Sequence, residues 1–141
     1  MFLRILTLVS TILLTAACAS TAPQGPQLTG FALQTQLLAA QENAKTMPPA
    51  ERIALYQRLM AQAPDSSAVK VGYADALRMA GRAPEALKLV KPLLAEKPVR
   101  MDTLVAYHKA LIADNDFVGA EQSLLKYIPQ VQGSYAKQQI I

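Results

Sequence analysis

The chain is poor in the side chains that build metal centres and disulfides. It contains one cysteine and one histidine among 141 residues, whereas a structural zinc site takes four such ligands. A single cysteine excludes an intramolecular disulfide. No second group stands at motif spacing as a partner for a nucleophile or base. The sequence therefore predicts no metal, no cofactor and no enzymatic activity.

Tryptophan is absent, charged residues make up only 17%, and no long stretch alternates β-branched with polar residues. The hydrophobic fraction of 52% is too high for a disordered chain. Alanine and leucine dominate, and the length suits one domain. These features predict a small all-α protein.

Residues 1–17 have the pattern of a secretory signal peptide. Arg4 is their only charge, and the mostly apolar run that follows is shorter than the roughly 20 residues of a membrane-spanning helix. A basic start, an apolar centre and a small-residue end are typical of export signals. The alternative is a buried N-terminal helix, which the lack of amphipathic spacing disfavours.

The run LTAAC at residues 14–18 resembles the bacterial lipobox, with Thr15 where leucine is commonest. The resemblance implies cleavage after residue 17 and attachment of a diacylglyceryl group and palmitate at Cys18. Alanine and serine, with no aspartate, follow the cysteine, which implies a lipid-anchored protein on the periplasmic side of the outer membrane. The alternative is an incidental cysteine.

Residues 18–30 are rich in Pro, Gly, Ser and Thr, which predicts a flexible tether. Beyond it, apolar residues recur at helical spacing in six stripes. Helix starts are indicated at Pro49 and Pro84, and a helix end at Gly81. Candidate N-caps are Thr29 and either Asp65 or Ser66, and Pro92 predicts a kink within its stripe.

The helical pattern repeats after 34 residues. The matched pairs are Pro64 and Pro98, Tyr73 and Tyr107, Leu77 and Leu111, Gly81 and Asn115, and Ala86 and Ala120. A period of this length built from two helices is the tetratricopeptide signature. We therefore expect an all-α domain over 31–134 of about three tetratricopeptide helix-turn-helix units (33–66, 67–100 and 101–134) forming a short α-solenoid, with residues 135–141 as a tail or capping helix. A plain helical bundle is the alternative.

Several positions depart from the tetratricopeptide pattern. Large residues stand at several positions where the pattern prefers small ones. Two of these are Arg52 in unit one and His108 in unit three. A third position is large in every unit, with Leu59 in unit one, Leu93 in unit two and Tyr127 in unit three. Unit one is thus the weakest match, as a capping unit is. His108 is interpreted as a structural residue between packed helices, and the Asp114–Asp116 run as a turn.

The resemblance implies a concave face lined by the first helix of each unit, which binds a protein partner. The corresponding positions are Gln34, Leu37, Gln41, Ala44 and Lys45 in unit one, Ala68, Val71, Asp75, Arg78 and Met79 in unit two, and Asp102, Val105, Lys109, Ile112 and Ala113 in unit three. Our candidate binding residues are Leu37, Gln41, Lys45, Val71, Asp75, Arg78, Val105, Lys109 and Ile112. The alternative is an ordinary solvated face. The asparagines with which some family members bind a C-terminal carboxylate are absent.

Unit two is basic, with a net charge of +4 from seven basic and three acidic residues. Its cations are Lys70, Arg78, Arg82, Lys88, Lys91, Lys97 and Arg100. Such a patch suits anionic lipid or an acidic partner, or merely keeps the protein soluble. We expect no nucleic acid and no small-molecule substrate.

The lipobox, the short tether and the Gly-Arg-x-x-Glu-Ala-Leu run at Gly81–Leu87 together resemble the Tad (Flp) pilus assembly lipoproteins. That resemblance implies a membrane-anchored scaffold that assists assembly of a secretin or another pilus component. A tetratricopeptide adaptor for outer-membrane protein insertion or for cell-wall enzymes is the alternative. An enzyme of unknown type that uses His108 is a third hypothesis.

Overall fold

Six α-helices and two short 3-10 helices form the part of the chain that the structure, a computed structural model, describes, residues 29–131. The α-helices are α1 (Gly30–Ala44), α2 (Pro49–Gln62), α3 (Ser67–Met79), α4 (Ala83–Val90), α5 (Met101–Ala113) and α6 (Phe117–Tyr127), and the 3-10 helices span Lys91–Ala95 and Ile128–Gln130. The predicted signal peptide, Cys18, most of the tether and residues 132–141 lie outside the described range. Over residues 29–131 the only extended pairing is one bridge between Val99 and Val131, so the all-α prediction is confirmed.

The helices stack as a helical repeat. Each helix contacts the next one along the chain, and α3 also contacts α1 and α5. The first helices of the three pairs therefore lie side by side as an inner layer. This is the arrangement of a tetratricopeptide α-solenoid, and the predicted fold class is confirmed.

Local sequence signals account for the helix starts. The Ser66 hydroxyl accepts a hydrogen bond from the Val69 amide at 3.3 Å, and the Asp116 carboxylate accepts one from the Gly119 amide at 2.8 Å. Pro49 is the first residue of α2, where a missing amide hydrogen has no cost. Thr29 precedes α1, but its side chain makes no capping bond.

The structure has a helix end before Pro92 where the sequence predicted a kink within one helix. Helix α4 ends at Val90, and Lys91–Ala95 continues as a 3-10 helix. Because proline lacks an amide hydrogen and its ring crowds the preceding turn, the α-helical pattern stops there rather than bends.

Buried side chains form a chain of clusters along the stack. Tyr56, Leu59 and Val69 join α2 to α3, Ala74, Val90 and Ala110 join the middle helices, and Leu94, Val99 and Leu104 fill the last pair. Helix α1 is loosely embedded, since only Ala40 and Ala44 of its 15 residues are buried. Within residues 29–131 we find no helix of the length and apolarity needed to cross a bilayer.

Candidate functional site

The inner layer exposes hydrophobic side chains at three of the predicted groove positions. Met79 on α3 is 46% exposed, and Val105 and Ile112 on α5 are 40% and 42% exposed. Met101, four residues before Val105 and on the same helical face, is also exposed. Large apolar side chains clustered on one face commonly mark an interaction surface.

Near the first unit this face deepens into a hollow of about 350 Å³. Its lining comes from α1, α2 and α3, and consists of Gln41, Ala44, Lys45, Arg52, Tyr56, Asp75 and Met79. Five of these seven residues are predicted groove positions on the two inner helices. The structure therefore brings together the polar candidates Gln41, Lys45 and Asp75 around one depression.

The other apolar candidates are less accessible. Leu37 is half-buried against the core cluster that contains Ala40 and Tyr56. Val71 is also half-buried, so of the predicted stripe of Leu37, Val71 and Val105 only Val105 is exposed. Leu33 and Leu37 are the two partly buried side chains of α1 that pack against this cluster.

The charged candidates on the inner layer are mostly paired. The Arg78 guanidinium donates to the Asp75 carboxylate through Nη2 at 2.7 Å and through Nε at 3.1 Å. The Lys45 ammonium lies 2.8 Å from a carboxylate oxygen of Glu42. Lys109 is exposed on α5 and has no carboxylate partner among residues 29–131. Fixed pairs of this kind contribute polarity to the surface but little net charge.

Within residues 29–131 the cations of unit two divide into arginines paired with a carboxylate and lysines that have no carboxylate partner. Arg82 pairs with Glu85 at 2.6 Å, and Arg100 pairs with Asp102 at 2.5 Å. The hydrogen bonds from Arg82 and Arg100 lower the pKa of the Glu85 and Asp102 carboxyls. With Arg78 also paired, the cations of unit two that have no carboxylate within the described range are Lys70, Lys88, Lys91 and Lys97. Lys97 in addition donates to the Gln130 side chain.

Arg52 is a lining residue that the sequence reasoning did not place in the groove. It lies on α2 and is only 7% exposed. Its Nη2 donates to the Met47 carbonyl at 3.2 Å, its Nη1 lies against the Met79 sulfur, and its Nε has no partner in the described range. One feature of the sequence could have pointed to Arg52: it is an arginine at a position where the repeat pattern prefers a small residue.

Tyr56 lies beside Arg52 in the floor of the hollow and is 3% exposed. Burial raises the pKa of the Tyr56 hydroxyl, and the Asp75 carboxylate raises it further against an opposing effect of Arg52. The hydroxyl therefore stays protonated at physiological pH and available as a hydrogen-bond donor.

His108 on α5 forms a hydrogen-bonding contact with α6, the other helix of the last pair. Its Nδ1 lies 3.1 Å from the Ala120 carbonyl oxygen, which also accepts a bond from the Ser123 hydroxyl at 2.7 Å. The ring thus has the structural contact expected between packed helices. Asp114–Asp116 forms the turn between α5 and α6, as predicted.

Residues 49–106 match the family model described as Tetratricopeptide repeat. The match runs from the start of α2 through α3 and α4 into α5. Comparison with curated proteins and with solved structures gives no significant match. Tetratricopeptide repeats generally serve protein–protein interaction and are generally not catalytic. The match covers less than half of the 141 residues, and together with the paired, side-by-side helices it supports a tetratricopeptide-repeat fold for this part of the chain.

Proposed function

We propose that this chain is a lipid-anchored scaffold that binds a segment of a protein partner in its concave groove. The observation that supports this most is the exposure of Met79, Val105 and Ile112 on the inner helices. Exposing these side chains to water does not stabilise the protein. Binding of a partner segment that covers them is favoured by the free energy of burying their apolar area.

The proposed anchor is Cys18, which lies outside the described residues. It is supported by the lipobox-like run at 14–18 and by the signal-peptide pattern before it. On this proposal the protein sits at the outer membrane and faces the periplasm. Metabolic labelling with an alkyne-bearing fatty acid tests the anchor. We expect labelling of the wild-type protein and loss of label in Cys18→Ser; label that persists in the variant would refute it.

The proposed task is assembly of an envelope machine, with the Tad (Flp) pilus as the first candidate. The resemblance at Gly81–Leu87 falls on a turn and the first turn of α4, so those residues serve the fold and the partner must be identified by experiment. The second candidate is an adaptor for outer-membrane protein insertion or for cell-wall enzymes, which the same repeat architecture suits equally.

The experiment is crosslinking in the native membrane, followed by affinity capture and mass spectrometry. We expect a specific partner with the wild-type chain and its loss in Val105→Glu and Ile112→Glu. Val118→Glu is the matched control, because Val118 is 66% exposed on α6, outside the inner layer. Equal capture by all variants would refute the groove.

The identity of the captured protein separates the two candidates. Capture of a secretin or pilus protein, together with fewer secretin multimers when the gene is deleted, supports the pilus task. Unchanged secretin multimers with capture of barrel-assembly or cell-wall proteins would overturn that task and keep the scaffold.

A further inference from the structure

We propose that the hollow between α1, α2 and α3 receives one acidic side chain, aspartate or glutamate, of the segment that binds in the groove. Arg52 is the residue that pairs with this carboxylate. The proposal rests on the proposed function, because it names the chemistry of the segment that the groove binds.

Within the described part of the chain, Arg52 is a buried cation without a counter-ion. Its side chain is 7% exposed, and no carboxylate of residues 29–131 lies within 4.0 Å of its guanidinium. The Met47 carbonyl satisfies one nitrogen, the Met79 thioether faces another, and Nε has no partner. A thioether is a weak acceptor, and a buried charge without a partner is costly. The site therefore stabilises a carboxylate more strongly than an exposed arginine does.

The residue that covers one nitrogen of the Arg52 guanidinium is movable. Met79 is 46% exposed and lines the same hollow. Methionine has three rotatable side-chain bonds and repacks readily. When its thioether turns aside, the guanidinium edge faces the hollow, where it can donate two parallel hydrogen bonds to a carboxylate.

The other charges of the hollow are already balanced. Asp75 is held by two hydrogen bonds from Arg78. Lys45 pairs with Glu42, and their side chains are 67% and 71% exposed, so solvent screens both. This leaves one uncompensated positive charge in the lining, on Arg52, and a ligand with one negative charge complements it.

The surroundings favour a protein segment over a free anion. Beyond the hollow the inner layer presents the exposed apolar side chains of Val105 and Ile112. A small anion in the hollow would contact neither of these, whereas a segment with apolar residues beside its acid uses both features. The occupant is therefore a peptide segment with an internal Asp or Glu flanked by apolar residues.

The test uses the full chain in detergent and a random array of short peptides, acetylated and amidated so that no terminal charge contributes. We expect the bound peptides to share an acidic residue with apolar neighbours. Changing that Glu to Gln should weaken binding to the wild-type chain by about tenfold or more. On Arg52→Met the same change should cost less than about twofold, because the pair is already broken.

Arg58→Met is the matched control, since Arg58 lies on the same helix, is exposed and carries the same charge. It should leave the tenfold effect of the peptide change intact. Arg52→Gln gives a second test that keeps a polar side chain near Met47, and circular dichroism verifies the fold of each variant.

Bound peptides without a shared acid would overturn the inference and leave the groove standing. So would an equal Glu-to-Gln effect on the wild-type chain and Arg52→Met, or an effect that Arg58→Met abolishes as well. If no peptide binds and partner capture is indifferent to Val105→Glu, the proposed function fails and the inference fails with it.

Discussion

Gly81 and Asn115 occupy the same place in successive helix hairpins and share a left-handed backbone, with φ of +75° and +63°. The hydrogen bonds around them match as well. Arg82 donates to the Leu77 carbonyl and Asp116 to the Leu111 carbonyl, both at 2.9 Å. This pattern is the Schellman motif that closes an α-helix. The 34-residue period of the sequence is thus repeated in the detailed geometry of the turn.

A glycine at residue 115 should stabilise the protein. Asparagine tolerates the left-handed region less well than glycine does, so we expect Asn115→Gly to raise the free energy of unfolding by a few tenths to about 1 kcal/mol. Gly81→Ala should lower it by about 1 to 2 kcal/mol. Urea denaturation measures both, and no loss in Gly81→Ala would contradict the turn geometry.

Gly72 should resist enlargement. A Cβ atom at this position would lie 2.3 Å from Cε1 of the buried Tyr56 ring. We expect Gly72→Ala to cost about 1 to 3 kcal/mol, because the ring must move out of a packed core. The control is the same change in a Tyr56→Leu background, where the cost should shrink. An equal cost in both backgrounds would mean that helix α3 itself, not the ring, opposes the change.

Removing one buried hydroxyl should be stabilising. Thr103 is fully buried, and its hydroxyl has no hydrogen-bond partner in the described range. Because an unsatisfied buried polar group costs about 1 to 3 kcal/mol, Thr103→Val should raise the melting temperature. Thr35→Val is the control: Thr35 is exposed and its hydroxyl donates to the Phe31 carbonyl at 3.0 Å. A gain in the control as large as that in Thr103→Val would disprove the explanation.

Acid should remove the contribution of the pair between Arg100 and Asp102. The hydrogen bond from Arg100 lowers the pKa of the Asp102 carboxyl. A lowered pKa in the folded state means that the pair stabilises the protein above the ordinary carboxyl pKa of about 4 and loses this effect as the pH falls through the lowered value. Asp102→Asn should therefore be less stable than wild type at pH 7, and the difference should vanish in strong acid. The effect should be small, since the side chains are 47% and 43% exposed. A difference that does not change with pH would contradict this interpretation.

The sequence predicted the features that depend on local chemistry. Pro49, Ser66 and the turn at Gly81 mark helix boundaries through properties of a single residue and its neighbours. The inner-layer exposure of Ile112 follows from the repeat pattern in the same way. These predictions need only the helical period and the preferences of caps and turns.

The burial of Arg52 was not predictable in this way, because it depends on contacts far apart in sequence. Its guanidinium meets Met79, which is 27 residues away, and is closed in by the loop at Met47. The inward packing of Leu37 likewise depends on how closely α1 approaches its neighbours.

The most direct test of the groove is site-specific photo-crosslinking in the native membrane. A photoreactive phenylalanine analogue is placed at Ile112 in the inner layer and, as a control, at Leu125, which is 73% exposed on α6. We expect a defined crosslinked adduct with a partner protein from residue 112 and none from residue 125. An adduct from residue 125 alone would show that the partner binds elsewhere and would contradict the concave groove as the binding site.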